Sequence, residues 1–312
     1  MNSTRLIIAI PTYNRSKIIK KQVQLLLPQL REGVQLVVRD NCSDVPVRSM
    51  FSDEELSKFT LIRNLTNIGG DANTVHLLEA YNDCWVWILG DDDPVKPDAV
   101  DLVLSEITNH NDCCYINFGS KKCLKTQNYD ELISYMGNLG VLGLAFFQTH
   151  CVMNMKKLSP AIRYYYEFLS SQIGQICMVL KYVEMIPFEK CYFSTIQLMT
   201  YNAPGGWSKC DFVRNCSLLF DKYYYCKDEL KGNLLKGLFN MLVVNLMETN
   251  LKMFEKIKYL CFLMSKYGYF NTIRYSSVTL FQFFAFLFLP KDLYKTIRSK
   301  FAQRYNQALQ NR

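Results

Sequence analysis

The sequence predicts an α/β fold, a mostly parallel sheet flanked by helices with a helical C-terminal extension. Three observations carry this. Four short apolar runs punctuate the first 90 residues: "LIIAI" (Leu6 to Ile10), "VQLVV" (Val34 to Val38), "FTLI" (Phe59 to Ile62) and "WVWIL" (Trp85 to Leu89). They are continuously apolar rather than alternating, as strands buried on both faces of a parallel sheet require. Helical periodicity lies between them, and polar residues follow each run.

Taken in order, Ser16 to Leu30 places Ile18, Ile19, Val23, Leu26, Leu27 and Leu30 near one face, with Ser16 as the expected N-cap. Asn73 to Tyr81 and Pro97 to His110 read as two further helices, and "CCYINF" as another strand. Strand and helix alternation of this kind indicates a doubly wound sheet. Beyond Leu124 the pattern weakens. "LGVLGLAFF" suits strand or helix, Tyr164 to Met185 reads as one helix, and "YNAPGGW" (Tyr201 to Trp207) as a flexible loop. The expected division is 1–211, with a ligand-binding half over 1–120 and a second half over 121–211, followed by a helical, basic-aromatic region over 212–312.

Charge is unevenly distributed. Net charge is +8, yet Leu251 to Arg312 holds 11 Lys/Arg against Glu255 and Asp292 alone, which leaves the remaining chain near neutral. The 12 cysteines include no C-x-x-C, and His76, His110 and His150 form no H-x-x-x-H, so a thiolate or imidazole metal site has little support. Reduced, mostly buried cysteines of a cytoplasmic protein are expected. No segment reaches the roughly 20 apolar residues of a membrane-spanning helix.

In a doubly wound sheet, ligands bind at the carboxyl ends of the strands. "PTYNR", "RDNCSD", "RNLTNIGGDAN" and "GDDD" fall at four such ends. Carboxylates about 5 Å apart repel by roughly 3 kcal/mol per pair at an effective dielectric near 20, so three consecutive aspartates call for solvent or a cation. No G-x-G-x-x-G follows the first strand and no P-loop appears, which disfavours hydride transfer and P-loop chemistry. Hard oxygen ligands select Mg²⁺ or Mn²⁺, which take one or two carboxylates together with substrate phosphates. The site therefore suggests a phosphate-bearing substrate whose diphosphate leaves against a Lewis acid.

"IAIPTYNRSKIIKKQVQLLLPQ", "VVRDNCSD", "RNLTNIGGDANTVHLLEA" and "WVWILGDDDPVKPDAV" resemble successive motifs of family 2 glycosyltransferases with the GT-A fold, most closely the abequosyltransferase-like branch that builds bacterial O-antigen and capsule polysaccharides. The resemblance covers about the first 110 residues. It implies that Pro11, Thr12 and Tyr13 line a nucleotide pocket, that Asp40 accepts a hydrogen bond from the base, and that Asn41 and Ser43 shape its loop. Asn67, Gly69 and Asn73 would border the sugar-diphosphate. The Asp-x-Asp element falls on "GDDD", where Gly90 stands at the usual first acid; that departure leaves Asp92 as metal ligand, with Asp91 and Asp93 beside it.

The implied activity is inverting transfer of a sugar from a nucleotide-sugar (a UDP-sugar as first expectation) to a hydroxyl of a lipid-linked saccharide. Such transfer needs a general base, with Glu167 as candidate and Asp211 as runner-up. Aromatic bulk beside Lys291, Lys295, Arg298, Lys300 and Arg304 suits contact with an anionic membrane surface, and hence a peripheral position on the inner face of the cytoplasmic membrane. No nucleic-acid-binding module is visible. Two rivals remain. A sugar-1-phosphate nucleotidyltransferase would need a glycine-rich basic loop that "PTYNRSKI" lacks, and a non-catalytic scaffold is kept open by the missing first acid.

Overall fold

Eight strands form one sheet in the computed structural model: β1 (Leu6–Thr12), β2 (Val34–Asp40), β3 (Thr60–Arg63), β4 (Trp85–Ile88), β5 (Cys113–Asn117), β6 (Leu124–Thr126), β7 (Cys151–Asn154) and β8 (Lys190–Phe193). The structure describes residues 6–137, 141–200, 208–223, 229–290, 292–296 and 299. The spatial order is β3-β2-β1-β4-β7-β5-β8-β6. β1 pairs in parallel with both β2 and β4, so the chain grows to one side of β1 and then switches to the other. That reversal opens a crevice at the carboxyl edge.

β7 was not foreseen as a strand, and it matters. It runs antiparallel between β4 and β5, with Trp87 opposite Val152. An antiparallel strand enters the sheet where its parallel neighbour leaves, so the residues just before β7, Thr149 and His150, arrive at the carboxyl edge of β4.

The expected elements are found with shifted ends. Helix α1 (Ser16–Leu26) begins one residue beyond its N-cap position, Arg15. Ser16 is not the cap, because its hydroxyl donates to the Val45 carbonyl at 2.9 Å. Leu27–Gln29 tightens into a 3₁₀ turn after α1. α2 (Gly70–Ala80) and α3 (Ala99–Asn109) follow β3 and β4. "LGVLGLAFF", ambiguous in sequence, contains α4 (Val141–Phe146). Sheet and helices enclose a core that includes Ile8, Val38, Trp87, Val100 and Val152, all fully buried or nearly so.

The segment Tyr164 to Met185 is not one helix. It divides into α5 (Ile162–Glu167) and α6 (Gly174–Met185). Between them Gln172 adopts a left-handed conformation, φ 64°, which no helix can continue. Gly174 lets the two helices meet, since a Cβ there would run into the Tyr165 ring.

The chain divides into two units, Met1–Gly206 and Trp207–Arg312. The expected boundary after Asp211 falls inside α7 (Lys209–Cys216), so the break comes before that helix. The second unit continues with α8 (Glu229–Met247), α9 (Met253–Tyr267) and α10 (Tyr269–Phe288). Its core includes Leu238, Phe239, Leu242, Leu263 and Phe283, with the Phe239 and Tyr267 rings stacked at 5.0 Å. "YNAPGGW" lies outside the described residues, as do Lys291, Arg298, Lys300 and Arg304. Among the described residues there is no disulfide, and no helix is long and apolar enough to cross a membrane.

Overpacking of this kind costs about 1–3 kcal/mol. Gly174→Ala is expected to lower the melting temperature by several degrees, measured by circular dichroism. An unshifted melt would refute the close packing at the corner between α5 and α6.

Candidate active site

Three acids meet three partners at the end of β4. Thr12, the last residue of β1, donates its hydroxyl to Asp91 Oδ2 at 2.6 Å. Arg15 Nη1 donates to Asp91 Oδ1 at 2.7 Å and lies 2.8 Å from Asp92 Oδ2. Thr149 donates to Asp93 Oδ2, and its oxygen accepts the Gly90 N–H at 2.9 Å. Gln22 of α1 donates to the Asp93 carbonyl at 2.8 Å. Part of the charge that answers the three aspartates is therefore the protein's own. Burial alone would lower the Arg15 pKa, but the charges and hydrogen bonds of Asp91 and Asp92 hold it above the ordinary value. Burial pushes the Asp91 and Asp93 carboxyls up, against the hydrogen bonds from Thr12 and Thr149.

Gly90 now has a reason. A Cβ at this position would run into Asp93 Oδ2 and come within 3.1 Å of Thr149 Oγ1. The Asp93 carboxylate, with the Thr149 hydroxyl bonded to it, fills the space that a first acid would need.

The second strand end is built differently. Asp40 closes β2, with Oδ1 accepting the Ser43 N–H at 2.9 Å and Oδ2 the Val47 N–H at 3.3 Å and Arg63. Burial would raise its pKa, but these bonds hold it below the usual carboxylate range. Both Asp40 oxygens thus serve the 41–47 loop. Ser43 Oγ accepts the Asn14 N–H at 2.8 Å, tying this loop to "PTYNR".

Four asparagines weave the third strand end into the same edge. Asn64 Nδ2 donates to Asn41 Oδ1 and Asn73 Oδ1, both at 2.8 Å. Asn41 Nδ2 donates to Asn67 Oδ1 at 2.8 Å, which also accepts the Gly69 N–H. Asn73 Nδ2 donates to the Arg39 carbonyl at 3.0 Å. Asn41 and Asn73 are buried and their amides hold the loops, whereas Asn67 and Gly69 are exposed. Gly69 has φ +88°, which favours glycine at the entry to α2. Tyr13 is exposed and Pro11 half-buried on the same edge.

The structure thus gathers Pro11, Thr12, Tyr13, Asp40, Asn41, Ser43, Asn67, Gly69, Asn73, Asp91, Asp92 and Asp93 along one edge. The candidate bases lie on other elements. Glu167 ends α5 with an exposed side chain. Asp211 lies in the second unit, in the first turn of α7, paired with Arg214 at 2.9 Å. Sequence reading missed Arg15 and Asn64, although both stand inside the motifs it quoted. It also missed Thr149, which carries no local signal because only β7 brings it there.

Two carboxylate oxygens are the donor type that a hard divalent cation takes, and such an ion would have to replace the Arg15 guanidinium between them. Asp91 Oδ1 and Asp92 Oδ2 both lie within 2.8 Å of one point, the Arg15 Nη1. No group of three or more His, Cys, Asp or Glu converges among the described residues. Mg²⁺ and Mn²⁺ need no third carboxylate when substrate phosphates complete the shell.

The sequence profile of "Glycosyl transferase family 2" matches residues 7–163. Among solved structures, the chain is similar to TarS from S. aureus, at 14% identity and TM-score 0.51 over 87% of this chain and 74% of that one. It is similar as well to the mannosyltransferase PcManGT from Pyrobaculum calidifontis, solved in complex with GDP-Man and Mn²⁺, at 14% identity and TM-score 0.51 over 98% and 86%. At this identity both likenesses show the fold, a GT-A-like one. No curated protein matches the chain.

Removing the internal cation leaves buried carboxylates uncompensated, a loss of about 1–3 kcal/mol. Arg15→Gln is expected to lower the melting temperature at pH 8. The folded protein of this variant favours protonated Asp91, so stability is lost as pH rises and the deficit against wild type shrinks on acidification. Melts at pH 5 and pH 8 check the sign; equal deficits at both would refute it.

Proposed function

Since the chain belongs to glycosyl transferase family 2, we propose that it transfers one sugar from a nucleoside-diphosphate sugar to a hydroxyl of a lipid-linked saccharide, with inversion, in bacterial surface-polysaccharide synthesis. The observation that carries the proposal is that Asp91 Oδ1 and Asp92 Oδ2 share one cation, the Arg15 guanidinium, at the sheet's switch edge, a place that a metal ion would take over with the donor. The abequosyltransferase-like, O-antigen and capsule branch is proposed on the motif set that ends in "GDDD".

Asp91 and Asp92 would hold Mg²⁺ or Mn²⁺, which neutralises the diphosphate as it leaves. The chain's own residues do the positioning. Thr12 pins Asp91 Oδ2, so that Oδ1 is presented with Asp92. Thr149 and Gln22 hold Asp93 by its carboxylate and its carbonyl, leaving Oδ1 for a sugar hydroxyl. Pro11, Tyr13 and the loop fixed by Asp40 and Ser43 would take the nucleotide, and Asn67 and Gly69 the diphosphate side. A UDP-sugar is the first donor to try. PcManGT, solved with GDP-Man, makes GDP-mannose the second.

The second unit suits a surface of the cytoplasmic membrane's inner leaflet. Phe270 and Ile273 lie before the non-helical Ser276 of α10, and Phe281, Phe284 and Phe288 recur at intervals of three and four after it; all five are exposed. α10 contains no acidic residue, and Arg274 stacks over Phe270 and Tyr275 while Lys258 covers Phe254. Basic residues near an anionic leaflet contribute about 1 kcal/mol each, and apolar burial adds to it.

Nucleoside diphosphate release from UDP-, GDP-, CDP- and dTDP-sugars, with and without Mn²⁺, tests the transfer reading. Asp91→Asn and Asp92→Asn are each expected to lower turnover at least 100-fold; full activity in both variants would defeat the assignment. Binding without turnover of any donor would instead favour the non-catalytic scaffold, to which Gly90 lends its weight. For the surface, Phe270→Ser/Phe281→Ser/Phe288→Ser is expected to abolish sedimentation with anionic liposomes. Equal sedimentation of variant and wild type would discard the membrane contact.

A further inference from the structure

Asp71 is a carboxylate placed for chemistry that the strand-end aspartates cannot do. It lies in the first turn of α2, two residues before Asn73 and on the same carboxyl edge. Its Oδ2 accepts the backbone N–H of Gln172 at 3.1 Å, across 101 residues of chain. Gln172 is the left-handed residue between α5 and α6, so this bond joins the donor-side loop to the other half of the unit. Among the described residues Oδ1 receives no hydrogen bond. Immediately before it the backbone faces open space, for a Cβ at Gly69 or Gly70 would meet no atom within 4 Å.

We infer that Asp71 is the general base of the transfer, accepting on Oδ1 the proton of the acceptor hydroxyl. The inference rests on the transferase reading above. As the acceptor oxygen bonds to the anomeric carbon, its proton passes to Asp71. The bond from that carbon to the diphosphate oxygen breaks, and the electron pair leaves with the nucleoside diphosphate. Gln172 N–H fixes the carboxylate through Oδ2 and leaves the other oxygen to the acceptor. Asp91 and Asp92 do not compete for this role, since both serve a cation, Arg15 here and the metal ion in the proposed transfer.

The surroundings suit a base that works near neutrality. Burial, opposed only by the Gln172 N–H, lifts the Asp71 carboxyl to about 7. The titratable group facing it is the Tyr165 phenol of α5, itself pushed well above its ordinary value by burial and by Asp71. The segment Leu169 to Gly174 carries no charged side chain, and neither does β1; on α2 itself the other titratable groups are His76 and Glu79, more than a turn away. A base of this pKa in a pocket contributes about 10²–10⁴ in rate.

The test is the pH dependence of nucleoside diphosphate release in the full-length protein, with UDP-GlcNAc and GDP-mannose as probes and water standing in for the acceptor. Wild type is expected to lose rate as pH falls through about 7. Asp71→Asn keeps an oxygen for the Gln172 N–H and loses only the charge. It is expected to lose at least 100-fold in turnover, to show no limb near 7, and to bind UDP or GDP with Mn²⁺ at wild-type affinity by calorimetry. Its melting temperature at pH 8 is expected to match or exceed wild type. A folded-state pKa of about 7 means that the ionised carboxylate costs stability as pH rises from the ordinary carboxylate range, and the amide removes that cost. The inference is overturned if Asp71→Asn retains the limb, or if it loses nucleotide binding. It is equally overturned if the limb disappears in Glu167→Gln or Asp211→Asn instead. No turnover by wild type on any donor would defeat the transferase reading itself, a distinguishable result.

Discussion

A carboxylate cluster at the tip of β4 must be neutralised before the sheet can close around it, and much else at this edge follows from how that is done. By Coulomb's law at an effective dielectric near 20, two aspartates about 5 Å apart repel by roughly 3 kcal/mol. A guanidinium under 3 Å from both attracts each by about twice that, before the desolvation of all three groups is subtracted. Arg15 supplies that charge from the residue just before α1, and Thr12 orients Asp91 from the end of β1. Both residues come from one five-residue stretch, "PTYNR". The turn that ends β1 thus sets the electrostatics of β4, its parallel neighbour.

The neighbouring strand ends use the same device without a metal-like site. Asp40 is as buried as Asp91, but two backbone N–H groups and Arg63 converge on it. Asn64 reaches both Asn41 and Asn73, so the loops after β2 and β3 share one set of amides. Buried polar networks specify one arrangement when nearly every donor and acceptor is met. This network fixes Asn67, which in turn accepts the Gly69 N–H at the entry to α2.

What the sequence disclosed and what it hid follow the range of the interactions. The central strands were legible because runs such as "LIIAI" and "WVWIL" are apolar on both faces, a property local to each run. The acidic tip and its polar loops were legible because each lies beside its strand in sequence. β7 was not: Cys151–Asn154 is short and follows a helix whose own sequence was ambiguous, and its place between β4 and β5 depends on pairings that no local pattern encodes. Thr149 was hidden for that reason. The break at Gln172 was hidden for another. "SSQIGQ" does not forbid a helix, and the bonds that hold the left-handed turn include the long-range one from Gln172 N–H to Asp71, beside the approach of Tyr165 to Gly174.

The buried carboxylates of this edge are sorted by what compensates them. Burial opposes the charge of both Asp40 and Asp71, and the bonds that answer it differ. Asp40 receives two N–H groups and a guanidinium and stays ionised below the ordinary range. Asp71 receives one N–H and sits near 7. An acid held far below neutrality binds a proton too weakly to serve as a base, whereas one near neutrality is free to take it from a hydroxyl. A chain that places both on adjacent loops can keep one carboxylate as a strut and the other as a reagent. The donors that the fold directs at each, together with how deeply each is desolvated, set the difference between them.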